Sequence, residues 1–163
     1  MKKIWAPWRI QYIEKAGRME GCILCDKPAE KNDEINLILY RGRKNFVILN
    51  AYPYTPGHLM VAPYRHVGDL NDISEEESRE HNEVIKLCLN LLNTTVKPDG
   101  FNIGMNLGRV AGAGVLGHVH THIVPRWQGD NNFMPVVADV KVLSEGLSAT
   151  YKKLKDGLQQ LQK

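Results

Sequence analysis

The feature that most constrains the fold of this chain is a stretch in which every second residue is a histidine, His118-Val119-His120-Thr121-His122. Successive side chains of a strand point to opposite faces, and β-favouring residues follow. The alternation therefore predicts a strand over 118–125 with three imidazoles on one face. These are half of the six histidines in the chain. Because an imidazole serves as a base, a metal ligand or a nucleophile near neutral pH, this face predicts a chemical site.

Two other interpretations of this face are an exposed polar surface without chemistry and a single zinc ion held by all three rings. At about 3.3 Å per residue, the Cα atoms of His118 and His122 would lie about 13 Å apart along a strand. Zinc takes a histidine nitrogen at about 2 Å, so three rings in a row cannot easily share one ion. At least one ring is expected to have another role.

The triad, followed by two apolar residues, resembles the signature of the histidine triad (HIT) superfamily of nucleotide hydrolases and transferases. That signature usually has an apolar residue at the position of Thr121, so this threonine is a departure. Segments 45–50, 56–63 and 101–106 resemble the strands of the family's nucleotide pocket, and the resemblance covers about residues 20 to 130. The chain looks most like the bacterial diadenosine tetraphosphate phosphorylase group, in the segments Trp5-Ala6-Pro7-Trp8-Arg9, Tyr52-Pro53-Tyr54 and Pro125-Arg126-Trp127-Gln128-Gly129-Asp130.

An α+β fold is predicted by the order of the patterns, and the resemblance implies a HIT-like antiparallel sheet of about five strands. Ser74-Glu75-Glu76-Glu77 is a capping box that opens a long helix, which ends before Pro98 and carries Val84, Leu87, Cys88, Leu91 and Thr95 on one stripe. A C-terminal helix over the sheet is predicted by the spacing of Leu147, Tyr151, Leu154, Leu158 and Leu161. The five strands are expected at 35–40, 45–49, 59–63, 101–107 and 118–125.

One domain over residues 1–163 is expected, because a chain of this length can bury a sizeable core without disulfides and its 43% hydrophobic content is ordinary for a globular protein. Its core would span about residues 20–130, with the C-terminal helix and an N-terminal aromatic segment (Trp5, Trp8 and Tyr12) packed on it. No apolar run reaches the roughly 18 residues of a membrane span, and no secretion core follows Met1, so we expect a cytoplasmic protein without membrane partners. The net charge of +3 suits a polyphosphate substrate and does not indicate nucleic acid.

Cys22 and Cys25 form a Cys-x-x-Cys pair that precedes any βαβ unit, which favours half of a zinc site over a thioredoxin-type motif. Structural thiols without a metal are the alternative. Zinc-binding members of the family complete such a site with a histidine after the second pocket strand and with the first triad histidine. The resemblance assigns these ligands to His66 and His118, and implies one structural zinc and no organic cofactor. Cys88 lies in an apolar helical pattern and is expected to be a core residue.

The resemblance also assigns the catalytic and binding roles. His120 matches the nucleophile that attacks the α-phosphorus, and His122, with help from His58, would donate to a phosphate oxygen. Asn50 resembles the residue that holds the ribose, and Asn106 the amide that positions the α-phosphate. In full, the expected catalytic residues are His58, His118, His120 and His122, and the expected nucleotide contacts are Phe46, Leu49, Asn50, Asn106, Gly112 and Gly114.

The expected activity is nucleotidyl transfer from a dinucleoside polyphosphate, or another adenine nucleotide, through a nucleotidyl group on His120. Hydrolytic relatives carry Ser or Thr three residues before the first triad histidine, whereas this chain has Val115 there and Gly114 before it. This departure favours inorganic phosphate as the acceptor. The alternatives are a HIT-type hydrolase or nucleoside phosphoramidase, and a non-catalytic nucleotide-binding module. HIT proteins resemble one another in being homodimers whose sheets join, so a homodimer is expected.

Overall fold

The computed structural model describes residues 21–130 and 145–162. The predicted aromatic segment with Trp5, Trp8 and Tyr12 lies outside these residues. Short 3-10 turns occur at Leu70–Asp72 and Arg109–Ala111. The helices and strands follow in the order α1 (Ile23–Ala29), α2 (Asp33–Asn36), β1 (Ile38–Arg41), β2 (Asn45–Leu49), β3 (Leu59–Pro63), α3 (Glu75–Thr95), β4 (Gly100–Met105), β5 (Thr121–Arg126) and α4 (Leu147–Leu161).

The five strands form one antiparallel sheet in the order β1-β2-β3-β5-β4. Strand β5 therefore lies between β3 and β4, although it comes last in sequence among the five described strands. The predicted α+β fold, with five antiparallel strands, a long helix and a C-terminal helix, is confirmed. The first strand begins later than expected, at Ile38, because residues 33–36 form the short helix α2, capped by Asn32 and closed by Leu37 at φ 60°.

Helix α3 begins at the predicted capping box. The Ser74 hydroxyl accepts from the backbone N–H of Glu77 at 3.2 Å, and the Glu77 carboxylate accepts from the backbone N–H of Ser74 at 2.9 Å. The helix ends at Thr95, before Pro98 as expected. Its buried residues are Glu77, Glu80, His81, Val84, Cys88, Leu91 and Leu92.

The two faces of the sheet are buried by different elements. We call the face that packs against α3 and α4 the helix face; it presents Val47, Leu49, Leu59, Val61 and Ile123. We call the opposite face, which packs against α1, the site face; it presents Phe46, Ile48, Met60 and Ala62. Paired residues of neighbouring strands share a face, so His122, the partner of Met60, lies on the site face. Thr121, the partner of Val61, lies on the helix face.

Helix α4 packs against α3 and against the edge strand β1. The two helices approach closely at Gly157, where an added Cβ would clash with the side chain of Thr95. The predicted apolar stripe is buried at Tyr151, Leu154 and Leu158. Among the residues that the structure describes, no helix has the length and apolar character needed to cross a membrane.

Candidate active site and metal cluster

The three triad histidines do not form one row on a strand. Strand β5 begins at Thr121, so only His122 belongs to it, and the prediction of a strand over 118–125 is wrong at its start. The preceding segment instead runs along residues 67–68: the N–H of Val119 donates to the carbonyl of Val67 at 2.7 Å. Consequently the ring of His118 lies 5.2 Å from that of His66, whereas the ring of His120 lies 4.9 Å from that of His122.

The geometry around His120 fixes where its proton lies. Its Nδ1 is 2.8 Å from the carbonyl oxygen of His118, and because a carbonyl only accepts, Nδ1 carries the hydrogen. The lone pair is then on Nε2, which no hydrogen bond engages within the described part of the chain. Burial lowers the pKa of His120, so the ring is neutral at pH 7. A buried, neutral imidazole with a defined lone pair has the form that a nucleophile needs.

His58 and His122 form a second histidine pair with an equally defined proton. The backbone N–H of Tyr54 donates to Nδ1 of His58 at 3.1 Å. The hydrogen of His58 is therefore on Nε2, which lies 2.9 Å from Nδ1 of His122 and donates to it. Nδ1 of His122 accepts, so its own hydrogen is on Nε2. The pair thus presents a donor on the His122 ring, whose centroid lies 4.9 Å from that of His120. Nδ2 of Asn50 approaches Nδ1 of His58 at 3.4 Å.

The predicted nucleotide contacts occupy three different environments. Asn50 is half-buried next to His58, and its side-chain oxygen accepts from the N–H of Tyr52 at 2.9 Å. Asn106 follows β4, and its Nδ2 lies 3.5 Å from the carbonyl oxygen of Gly112. Gly112 belongs to the loop that leads to the triad, which also includes half-buried Gly114. The φ of +86° at Gly112 is one that glycine adopts without strain.

Two of these predicted contacts are core residues. Phe46 lies on the site face but is fully buried and packs against Tyr64, with ring centroids 5.3 Å apart. Leu49 is buried on the helix face, across the sheet from His122, so it is not retained as a nucleotide contact. The alternation of β2 explains the difference, since the two residues are three positions apart and must point to opposite faces.

The four predicted metal ligands, Cys22, Cys25, His66 and His118, come together in one cluster, with ligand atoms within 4.8 Å of one another. Nδ1 of His118 lies 3.3 Å from Cys22 Sγ and 3.5 Å from Cys25 Sγ, and Nδ1 of His66 lies 3.4 Å from Cys25 Sγ. In a tetrahedral zinc site the sulfur-to-nitrogen separation is about 3.6 Å. The arrangement therefore fits a metal ion.

The proton of His118 also suits a metal ligand. Its Nε2 lies 2.8 Å from the carbonyl oxygen of Pro63, so Nε2 carries the hydrogen and donates it. The lone pair of Nδ1 then points toward the two cysteines. A ligating histidine that donates its other N–H to a carbonyl is the usual arrangement at metal sites.

Two parts of the site were missed by the sequence interpretation. Tyr54 was noted only as part of a segment that resembles the phosphorylase group, yet its backbone N–H orients the ring of His58. His81 was not singled out, although it lies three residues before Val84 and so extends the predicted apolar stripe of α3. Its Nε2 is 2.7 Å from the hydroxyl of Thr121, between two triad histidines. A histidine on an otherwise apolar helix stripe was the available signal.

Comparison with known proteins agrees with this geometry. A family model described as HIT domain matches residues 32–129. An AP-4-A phosphorylase from Mycobacterium tuberculosis (strain H37Rv) is 36% identical over 161 residues, which cover 94% of this chain and 83% of that protein. A bis(5'-adenosyl)-triphosphatase from Saccharomyces cerevisiae is 30% identical over 95 residues, which cover 58% of this chain and 46% of that protein.

A solved structure of a Zn-bound histidine triad family protein from Mycobacterium smegmatis has the same fold. Its TM-score is 0.63 at 23% identity, with coverage of 93% of this chain and 94% of that one. Both sequence relatives are HIT-family enzymes, so the prediction of an enzyme of this class is confirmed. With the family match spanning more than half of its length and the triad in place, this chain belongs to the HIT domain family.

Proposed function

We propose that this protein transfers a nucleotidyl group from a dinucleoside polyphosphate, of the diadenosine tetraphosphate type, to inorganic phosphate through a covalent intermediate on His120. The observation that carries the proposal is the order of the histidine protons. His120 has its lone pair at Nε2, and the adjacent His122, backed by His58, has its proton at Nε2. A nucleophile and a donor side by side are what attack on a phosphate ester needs.

The first step would form a bond from Nε2 of His120 to the α-phosphorus and break the bond from that phosphorus to the bridging oxygen. From diadenosine tetraphosphate the leaving group is ATP. His122 would donate to a non-bridging oxygen, where negative charge is spread in the transition state. The ring of His120 becomes positive as it attacks, and the His118 carbonyl that accepts from Nδ1 stabilises that charge.

The second step would return the nucleotidyl group to an oxygen acceptor. An oxygen of inorganic phosphate attacks the same phosphorus, the bond to Nε2 of His120 breaks, and ADP leaves. Diadenosine tetraphosphate and phosphate together therefore give ADP and ATP. The 36% identity to an AP-4-A phosphorylase over nearly the whole chain supports phosphate as the acceptor.

Hydrolysis is the second candidate, and the 30% identity to a bis(5'-adenosyl)-triphosphatase favours it. Against it, the segment between Leu107 and Gly117 contains no hydroxyl side chain that could protonate a leaving group. Val115, at the position where a hydroxyl would be expected, packs against the apolar cluster of the site face. Val115 therefore has a packing role and supplies no proton donor, which favours the phosphorylase over the hydrolase.

Product analysis with radiolabelled inorganic phosphate tests the proposal. With diadenosine tetraphosphate as substrate, we expect the label in ADP, none in ATP, and no turnover when phosphate is left out. AMP and ATP formed without phosphate would identify a hydrolase instead. Nucleotide binding without any product would identify a non-catalytic module.

We propose that Cys22, Cys25, His66 and His118 hold one structural zinc ion. Two thiolates and two imidazoles would close all four positions and leave none for a catalytic water, so the ion would supply position and stability. His118 would connect the ion to the active site, because its ring lies in the metal cluster and its carbonyl oxygen accepts from Nδ1 of His120. The donor set and its spacing support zinc; the M. smegmatis protein of the same fold is itself Zn-bound.

We also propose a homodimer whose sheet continues across β4. Within the described residues, β4 is an edge strand with exposed residues, Ile103 among them, and an open edge is a template for pairing. The other edge, β1, is covered by α4, where the Tyr151 hydroxyl and the Lys155 ammonium donate to its carbonyls. Light scattering is expected to give the mass of two chains, and Ile103→Lys to shift the mass toward one. A monomeric wild type would contradict the proposal.

A further inference from the structure

The strand that carries the triad is also held from its other face, by a buried hydrogen-bonded chain. Thr121 lies between His120 and His122 but points to the helix face, where its hydroxyl is 2.7 Å from Nε2 of His81. Nδ1 of His81 is in turn 2.8 Å from the side-chain oxygen of Asn45. The chain thus joins β5, α3 and β2 across the core.

The direction of each hydrogen bond in this chain follows from its end at α3. The side-chain nitrogen of Asn45 donates to the carbonyl of Glu77 at 3.1 Å, so the Asn45 oxygen is left to accept. His81 therefore donates from Nδ1, and its Nε2 accepts the hydroxyl proton of Thr121. All three side chains are buried, at 0% exposure for Asn45, 5% for His81 and 2% for Thr121. A buried polar chain with every partner present is rigid, and an unpaired member is costly.

His120 depends on its neighbours for a fixed backbone, because it lies before the first residue of β5 and outside the ladder. On one side, the N–H of Val119 is tied to Val67. On the other side, Thr121 is paired with Val61 and Met105 and anchored by its hydroxyl to α3. The hydroxyl of Thr121 thus anchors the backbone between His120 and His122 to α3.

We propose that Thr121, held by His81, is a positioning residue that fixes the backbone beneath His120 and His122. The inference rests on the proposed function for its kinetic consequence, though not for its structural one. It also explains why a polar residue occupies a position where the triad signature is usually apolar. A displacement of about 1 Å at a reacting group can cost about 100-fold in rate, so a hydrogen bond on the far face of the strand affects turnover.

Thr121→Val is the direct test, because it keeps the shape of the side chain and removes the hydroxyl. We expect kcat to fall at least about 10-fold while KM stays within about twofold, since the ring geometry at attack changes and nucleotide contacts do not. Thr121→Ser keeps the hydroxyl and is expected to retain kcat within about twofold. Val84→Ala is the control: it weakens the same core one turn along α3 but removes no hydrogen-bonding group, so kcat should stay within about twofold.

A double-mutant cycle tests whether Thr121 acts through His81. If it does, adding His81→Gln to Thr121→Val lowers kcat no further than Thr121→Val alone. Effects that multiply would overturn the role of His81. Should Thr121→Val fail to fold, His81→Gln alone carries the test, with the same fall in kcat at constant KM.

The nitrogen spectra of the histidine rings provide a measurement without turnover. Long-range proton–nitrogen correlation reports the protonation of each ring, and Thr121→Val is expected to move the signals of His120 and His122 while those of His66 stay in place. If the wild type turns over no dinucleotide, the proposed function fails and these signals alone decide the role of Thr121. Unmoved ring signals, or an unchanged kcat in Thr121→Val, would overturn the inference.

Discussion

Acid should destabilise this protein through His81, a buried residue on the far side of the strand from the reacting groups. Burial lowers the pKa of His81 from 6.5 to about 4, because the charged ring has no water around it. The unfolded chain exposes the same ring with a pKa of about 6.5. Between these two values the unfolded state binds more protons than the folded state, so stability is fully present above pH 6.5 and is lost as pH falls toward 4.

The size of the effect follows from the two pKa values. Each pH unit between them costs about 1.4 kcal/mol, so the free energy of unfolding should fall by about 3 kcal/mol from pH 7 to pH 4 through this residue. Burial also lowers the pKa values of His118 and His120, which add to the loss in the same direction. Their contributions must be separated from that of His81.

Urea unfolding of wild type and His81→Gln at pH 7, 6, 5 and 4.5 separates them, because the other histidines titrate equally in both proteins. We expect His81→Gln to be less stable at pH 7 and the difference to shrink as pH falls. Val84→Ala serves as the control, since it lowers stability without removing a titrating group, and its curve should run parallel to that of the wild type. A difference between wild type and His81→Gln that is constant within about 0.5 kcal/mol would refute the reasoning.

Three further predictions concern the nucleophile, the metal cluster and the helix crossing. His120→Asn should bind nucleotide but lose turnover; more than about a tenth of wild-type activity would exclude it as the nucleophile. The double change Cys22→Ser, Cys25→Ser should remove about one zinc per chain and lower the melting temperature, as measured by elemental analysis and calorimetry, whereas unchanged stability would mark ordinary thiols. Gly157→Ala should lower the free energy of unfolding by about 1–3 kcal/mol, because the added Cβ forces α4 away from Thr95. At an open helix position the same substitution would raise stability.

The fold was predictable wherever local chemistry determines local structure. The capping box at Ser74 fixed the start of α3 because the two donors it satisfies belong to adjacent backbone groups. The start of β5 was not predictable, since alternation describes side-chain direction and says nothing about the partner strand. His118 and His120 leave the ladder because their segment runs beside residues 67–68, and that contact depends on tertiary structure.

The site was predictable as a set of residues and not as a set of hydrogen bonds. The spacing of Cys22 and Cys25 indicated ligands, and the resemblance supplied His66 and His118, which the structure brings together. The partners of His81 could not be predicted, because they come from strands far away in sequence. Leu49 shows why alternation matters: the resemblance assigned it to the nucleotide contacts, but strand alternation turns its side chain into the core.

The proton of the proposed nucleophile is held by a main-chain carbonyl, and this has a consequence for how the site tolerates mutation. The acceptor of His120 Nδ1 is the carbonyl oxygen of His118, a group that every amino acid carries. No substitution at position 118 can delete it; only a movement of the backbone can. The tautomer of the nucleophile is thus robust to the identity of its nearest acceptor residue. Its vulnerable points are the residues that hold the backbone in place, so a search for second-site suppressors of a weakened enzyme should yield changes in the core and not in the pocket.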